Sequence, residues 1–540
     1  MSLQQFSLTN RITILNGLSF AVALLLLWKI WRTLASRKSV LPLPPGPRPL
    51  PIIGNLHQMP IKNQSVKFME WSAEFGDLVY VSLLGSPALI INSHDDAKEL
   101  LDSRSSIYSD RPRLEMASGL QNGATTPSNS DDILALVFHP SQRSSCTYLP
   151  LLAFHLYRDH IRSLPSIRCL AYLAHTRSPP ELKKSPPVSL NIVQFVPEPN
   201  RVVLIDRLVG TVILDITYGY QVKGDRDELV VMADKNVREF GEAIAVGDFL
   251  VDTIPILKYL PDWFPLAGFK RQAAIWRANL LETVERPYID VKEQLRNGVA
   301  RVSYVAQHLS EGPLDAETED LVKYTSYNMY AAGIDTTTVT LHLFYLAMTK
   351  YPEYQRRAQE EIDRLTEQKR LPSISDWANL PFIDALIMEV FRCGPIVPTG
   401  IPHRLEVEDT YKGYRIPANT VVWAHLWAMS QDARRYKSPE DFNPNRYLQK
   451  EKEPDPRLSQ FGFGRRVSFN VAEDVIFLTV VLTLATCNIR KAVNAEGKEI
   501  EPVAEFTMGL IAILKEFEFE IEPRSSEALD LLKQLRDQYT

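Results

Sequence analysis

Two short runs hold residue types whose spacing could do chemistry. The first is Asn328-Met329-Tyr330-Ala331-Ala332-Gly333-Ile334-Asp335-Thr336-Thr337-Thr338. A helical pattern continues through Leu341 to Met348, but Gly333 and three consecutive threonines weaken it at one point. Such a defect can open a groove for oxygen and water. An acid beside a hydroxyl, Asp335 and Thr336, is suited to relay protons there, the acid supplying them and the hydroxyl orienting them. Small residues packed in a helix are the plainer account of the same run. The second run is Phe461-Gly462-Phe463-Gly464-Arg465-Arg466-Val467-Ser468-Phe469-Asn470. Gly462 and Gly464 let a backbone lie flat against a planar ligand, because a side chain there would hold it away. Arg466 could pair with a carboxylate of that ligand, since guanidinium and carboxylate match in charge and geometry. Taken alone, such a glycine loop also reads as an ordinary turn.

Three weaker signals gain meaning in company. Glu389 and Arg392, three apart, share a helix face. Arg446 lies in Phe442-Asn443-Pro444-Asn445-Arg446-Tyr447. The proline-dense stretch from Leu43 to Leu56 cannot be helical and should be extended and stiff. In chain order, the hinge, the acid-threonine helix, the Glu-x-x-Arg pair, the Arg446 segment and the glycine loop resemble the signatures of the cytochrome P450 family. The resemblance covers roughly residues 40 to 118 and 205 to 525. It implies a mainly α fold with small β-sheets, with haem b (iron protoporphyrin IX) as cofactor. It also implies insertion of one oxygen atom from dioxygen into a lipophilic organic substrate, with electrons from NADPH passed on by NADPH-cytochrome P450 reductase. Residue by residue, Asp335 and Thr336 would be catalytic, and Phe461, Gly462, Gly464 and Arg466 would bind the haem. Arg404, in Pro402-His403-Arg404, would be a second partner for a haem propionate, and the lone His403 a polar or propionate contact. Glu389, Arg392 and Arg446 would form a structural network holding the haem-side core.

The sequence departs from the family in two places. The family loop reads Phe-Gly-x-Gly-x-Arg-x-Cys-x-Gly; here the cysteine slot holds Ser468, the last glycine slot holds Asn470, and the spacing to Ala472 is shorter. A thiolate would bind the iron and push electron density through it, favouring cleavage of the oxygen-oxygen bond. A neutral serine hydroxyl cannot. Two readings therefore stand side by side, a monooxygenase and a relative unable to form the thiolate-haem site. The second departure is the atypical interval 120–200. Where the family has a helix carrying a Trp-Arg pair, this chain has the polar run Ala124 to Asp132, and no tryptophan occurs between Trp71 and Trp263. The proline pairs Pro179-Pro180 and Pro186-Pro187 then interrupt any helix. The interval is either a mistranslated stretch or a genuine variant loop, and long structureless insertions inside a compact domain are uncommon.

The elements that must position these residues follow from pattern and composition. At 540 residues, 45% apolar and 23% charged, the chain has ample material for a large core, and a net charge of −5 gives no reason to expect nucleic acid. The four cysteines fall in no zinc or covalent-haem spacing, which suits a reducing compartment. Residues 1–35 contain an uncharged stretch, Ile12 to Trp28, just long enough to cross a bilayer as a single transmembrane helix. Lys29, Arg32, Arg37 and Lys38 follow it, which places the body on the cytosolic side of a membrane, expected to be the endoplasmic reticulum. A cleaved signal peptide is the competing account. Residues 36–60 form the hinge, setting the domain 61–540 at a fixed distance and angle from the membrane. Within that domain a helix is expected at Phe68 to Phe75, strands at Leu78 to Leu84 and Ala88 to Asn92, and a helix at Asp95 to Leu101. Amphipathic helices over Asp225 to Gly247 and Ala267 to Leu295, the second kinked at Pro287, would cover the substrate cavity. A small sheet is expected around Tyr411 to Val422, and Glu505 to Leu510 would turn into the substrate pocket.

Overall fold

The structure is a computed structural model and describes residues 41–60, 63–112, 114–116, 201–223, 227–244, 249–265, 267–394, 396–464, 469–528 and 530–531. The anchor stretch 1–35 and the interval 120–200 lie outside the described residues. Among the described residues no helix is long and apolar enough to cross a membrane, so the expected transmembrane helix has no counterpart there.

The chain enters through the proline segment, which is not a free spacer. Pro42 and Pro45 accept backbone hydrogen bonds from Arg415 and Tyr80 at 2.8 Å each, and the Asn55 side chain ties Pro47 O to Ser82 N. A Cβ on Gly46 would sit 1.9 Å from Tyr80 O, so only glycine lets the segment lie this close. Helix α1, Gln64–Phe75, stops at Gly76 and buries Phe68 and Trp71 on one side. It leads into strands β1, Leu78–Leu83, and β2, Ser86–Ile91. Their two-residue connection, Leu84-Gly85, has positive φ at both positions, the turn whose twist suits a tight hairpin. The apolar alternation begins as expected, but Ala88 to Ile91 are all buried, because β2 lies inside a four-stranded sheet. Its other neighbours come from far along the chain: β3, His403–Arg404, and β6, Val421–Ala424, giving the order β1-β2-β6-β3 with β2 and β6 parallel. Between β3 and β6 the hairpin of β4, Asp409–Tyr411, and β5, Tyr414–Ile416, stands as a separate pair.

The larger layer is helical. Helices α2, Arg201–Tyr218, α3, Glu228–Ala243, and α4, Gly268–Arg296, precede the long α5, Ala316–Lys350. Helix α4 runs on through Pro287, where the sequence predicts a kink; burial of Val284, Tyr288 and Val291 on either side holds it. The Asp315 side chain caps α5 by accepting from Thr318 N at 2.8 Å, and Pro352 at the first turn of α6, Pro352–Thr366, starts a new helix immediately after it. Helix α7, Pro381–Cys393, is capped from outside. Both Glu361 oxygens accept from the Phe382 amide, and one also accepts from Ile383, each at 3.0 Å. Helix α8, Phe469–Thr486, is almost wholly apolar after Asp474 and packs in the centre of the main core with α5, α6 and α7, as an all-round hydrophobic helix must. Strands β7, Cys487–Lys491, and β10, Phe519–Pro523, pair beyond it, and β8, Phe506–Met508, pairs with β9, Ala512–Leu514.

Candidate active site

Helix α5 supplies the first half of the site. Every residue from Thr337 to Thr349 is buried, yet Ala332 is exposed and Met329, Ala331, Gly333, Asp335 and Thr336 are half-buried. This accessible strip lies directly before the fully buried half of the helix, whose first turns, with Ala316 and Asp320, are exposed as well. Thr336 Oγ1 donates to Ala332 O at 2.7 Å and Thr340 Oγ1 to Thr336 O at 2.9 Å. The helix is unbroken across Gly333 to Thr338, so the predicted local defect is not a break in the helix. Gly333 has a different reason to be small. A Cβ there would meet Ile213 Cδ1 at 2.9 Å, where α2 crosses α5. Packing thus accounts for the glycine, and leaves the acid and the threonine unexplained by packing. Burial, and next the charges of Glu239 and Asp335, push the Tyr327 hydroxyl above its ordinary range, which places the Asp335 carboxylate near that ring.

The glycine loop supplies the second half. Gly462 and Gly464 have φ of 74° and 85°, in the left-handed region that favours glycine. Gly464 N donates to the Asp102 carboxylate, and a Cβ on it would come within 3.5 Å of Leu101 O. Phe461 packs edge-on against Phe391, and Phe463 is buried against His94. Two aromatic plugs and one amide therefore hold the loop, and its glycine backbone suits a flat ligand such as the implied haem. Arg466 and Ser468 lie outside the described residues.

Among the described residues no cluster of histidine, cysteine, aspartate and glutamate could hold a metal ion. Neither described cysteine replaces a loop thiolate. Cys393 ends α7 with its thiol 3.8 Å from Glu389 Oε1, and burial pushes its pKa up to about 12. Burial also raises Cys487, at the start of β7. Both shifts run away from the ionised form that binds iron.

Arg404, a propionate candidate from the sequence, has its guanidinium against the Asp110 carboxylate. Three further contacts lace the same two segments together. His403 is buried with Nδ1 2.9 Å from Tyr108 O, and Arg111 Nη1 donates to Ile401 O and Pro402 O at 2.8 Å each. Arg111 went unread in the sequence because its acceptors are main-chain oxygens almost three hundred residues away.

The Glu389 network is assembled as predicted and is larger. Glu389, Arg392 and Arg446 are 0%, 0% and 1% exposed, so every charge must be matched inside the protein. The carboxylate accepts from Arg392 Nε at 2.9 Å and Nη2 at 2.7 Å, Arg446 Nε at 3.2 Å, Tyr447 OH at 2.9 Å and Asn443 N at 2.8 Å. Glu453, missed by sequence reading, neutralises the second guanidinium at 2.6 Å. The arginines also donate to main-chain oxygens of Ser430, Lys437, Ser438, Pro439 and Asp441. The network therefore ties α7 to the irregular chain before the glycine loop. A second, half-buried cluster lies alongside. Arg457 bonds Asp384 of α7 at 3.0 Å and Glu473 of α8 at 3.1 Å.

Comparison with known proteins agrees with this geometry. The sequence model of the family described as Cytochrome P450 matches residues 44–130 and 197–488. Its gap falls inside the interval 120–200. "Cytochrome P450 monooxygenase 208" of Postia placenta is 36% identical over 95% of this chain and 96% of its own length. "Cytochrome P450 monooxygenase claR" of Ampulloclitocybe clavipes is 34% identical over 92% of this chain and 89% of its own. "Cytochrome P450 monooxygenase 98" of Postia placenta is 33% identical over 98% of both chains. With the buried Glu389 network and the glycine loop both present, and relatives matched along nearly their whole length, the chain belongs to the cytochrome P450 family, whose named relatives are monooxygenases.

Proposed function

We propose that this protein is a haem-dependent monooxygenase that inserts one oxygen atom from dioxygen into a lipophilic organic substrate. The observation that supports the reading is the accessible strip of Ala332, Asp335 and Thr336, which lies directly before the fully buried stretch Thr337 to Thr349 of α5. Haem, when bound, would supply the activation of dioxygen, which no side chain can perform. The chain's own work is positioning and proton transfer. The Thr336 hydroxyl, held on Ala332 O, keeps lone pairs to accept a bond from a water or from the substrate side, and Asp335 beside it brings protons to the strip. Electrons would come from NADPH through NADPH-cytochrome P450 reductase. The stretch 12–28 would hold the protein at the endoplasmic reticulum membrane, with the body in the cytosol. The apolar cluster of Met116, Ile244, Val251 and Trp276 suits a lipophilic substrate.

Ser468 favours a second reading, a relative that keeps the scaffold without a thiolate-haem site. The two are separated by reducing the purified protein under carbon monoxide. The chain with Ser468 is expected to lack the absorption band of a thiolate-bound haem. The Ser468→Cys variant, alone or with the loop lengthened before Ala472, is expected to gain both the band and turnover. Oxygenation of a substrate by the Ser468 chain would overturn the argument from the missing thiolate. A cysteine variant that binds haem without turnover would favour the inactive relative.

A further inference from the structure

A charge cluster joins the chain on the two sides of the glycine loop. Arg457 opens the short helix Arg457–Gln460, which runs directly into the loop, and Gly462 N donates back to Ser459 O of that helix at 2.7 Å. The Arg457 side chain reaches the far side of the loop. Its Nη1 donates to Glu473 Oε1 on α8 at 3.1 Å and to Asp384 Oδ1 on α7 at 3.0 Å, while Nε and Nη2 hold Asp455, at 2.9 and 2.7 Å. Asp384 carries a second tie. It accepts from Trp377 Nε1 at 3.0 Å, and the Trp377 ring lies on Phe477 of α8 with centroids 4.2 Å apart and planes 4° from parallel. Phe477 is one helical turn beyond Glu473, so both ties grip the same face of α8. A closed ring of contacts therefore connects the chain before the loop to the helix after it.

We propose that Arg457 is a positioning residue for the cofactor: by bridging Asp384 and Glu473 it fixes the separation of the two arms of the glycine loop, so that the loop has its shape before a flat ligand arrives and holds that ligand longer afterwards. The inference rests on the reading that this loop takes the cofactor. It deepens that reading by naming what pre-forms the loop, since a site ordered in advance loses less on binding. A planar guanidinium suits the task because it donates to several carboxylates at fixed angles, which an ammonium on a flexible stem cannot do. The cluster is also unbalanced. The charged groups facing Glu473 are Arg457 and Asp455 from the chain before the loop and Asp384 from α7. Burial, offset by Arg457, and then the charges of Asp455 and Asp384 bring the Glu473 carboxyl from 4.5 up to about 7. Opening the brace returns that carboxyl to water and to its ordinary value. Opening thus releases a proton between the two values, and becomes easier as pH rises through them.

The test follows hydrogen exchange at the Gly462 and Gly464 amides of the full chain, with the Tyr80 amide in the sheet as control, and the release of hemin read by recovery of tryptophan fluorescence. Arg457→Lys keeps the charge but loses the fork. It should leave Tyr80 unchanged, raise exchange at Gly462 and Gly464 about tenfold and speed hemin release by a similar factor. In the parent, protection of the two loop amides, corrected for the intrinsic pH dependence of exchange, should fall by up to about a hundredfold between pH 4.5 and 7, and Glu473→Gln should abolish that fall. Unchanged loop exchange in Arg457→Lys, or a fall with pH that survives Glu473→Gln, would overturn the brace. Faster exchange at Tyr80 to the same degree would mark a general loss of stability and overturn the positioning role. A loosened loop that releases hemin no faster would overturn its service to the cofactor. A parent chain that binds no hemin would refute the cofactor reading of the loop and this role with it, a result distinct from a failed brace because the exchange measurements need no hemin.

Discussion

Glu389→Gln removes one negative charge from a site with almost no access to water, and the structure fixes what that should cost. The carboxylate accepts five hydrogen bonds, three of them from guanidinium groups that are themselves buried. An amide nitrogen cannot accept, so at least one donor would face another donor, and only Glu453 would remain to balance two arginines. Removing one partner from a buried ion pair costs about 3–5 kcal/mol. That is a large part of the roughly 5–15 kcal/mol by which a domain is stable. Tyr447→Phe deletes one bond to the same carboxylate and should cost about 1.5–3 kcal/mol. Replacing all three charged residues by apolar ones should not rescue the fold. The two guanidiniums also satisfy the oxygens of Ser430, Lys437, Ser438, Pro439 and Asp441, which would then be buried without donors. Urea unfolding followed by tryptophan fluorescence measures these differences, with a lowered midpoint at unchanged slope. A Glu389→Gln protein within about 1 kcal/mol of the parent would refute the argument that this carboxylate holds the core together.

Two further perturbations test other parts of the fold. Gly46→Ala would push a Cβ into Tyr80 O, so the proline segment should detach; faster exchange of the Tyr80 amide, which is bonded to Pro45 O, would show it, and unchanged exchange would refute the contact. Burial, partly offset by Arg457, raises the Glu473 carboxyl from 4.5 to about 7, so the folded state holds a proton that the unfolded state gives up between those values. This group therefore costs stability as pH rises from about 4.5 to 7. Glu473→Gln should gain stability relative to the parent across that window in unfolding measured at several pH values, and a difference independent of pH would refute the shift.

What the sequence revealed depended on distance along the chain. Glu389 and Arg392 are three residues apart on one helix, and that spacing alone placed them on one face. Glu453 and Tyr447 carry no such signal. Their partner is fixed by a loop whose path only the fold determines. Arg404 marks the same limit, because its contact with Asp110, on a segment far upstream, carries no signal in the sequence. Gly333 was legible as a small residue, yet the reason lies in Ile213 of another helix rather than in a weakened turn. Propensity similarly suggested a kink at Pro287 and a defect in α5. Both helices nonetheless continue without a break through these positions, as tertiary contacts routinely override single-residue preferences. The strands and helices from α1 to β2, with strong periodicity and tight punctuation, were read to within a few residues.

The clasp between residues 42–55 and the sheet also changes where any bending must occur. Because Pro42 and Pro45 are stitched to Arg415 and Tyr80, the proline run moves as one piece with the catalytic body and adds nothing to its reach. Swapping prolines within the stitched run would therefore loosen the body itself.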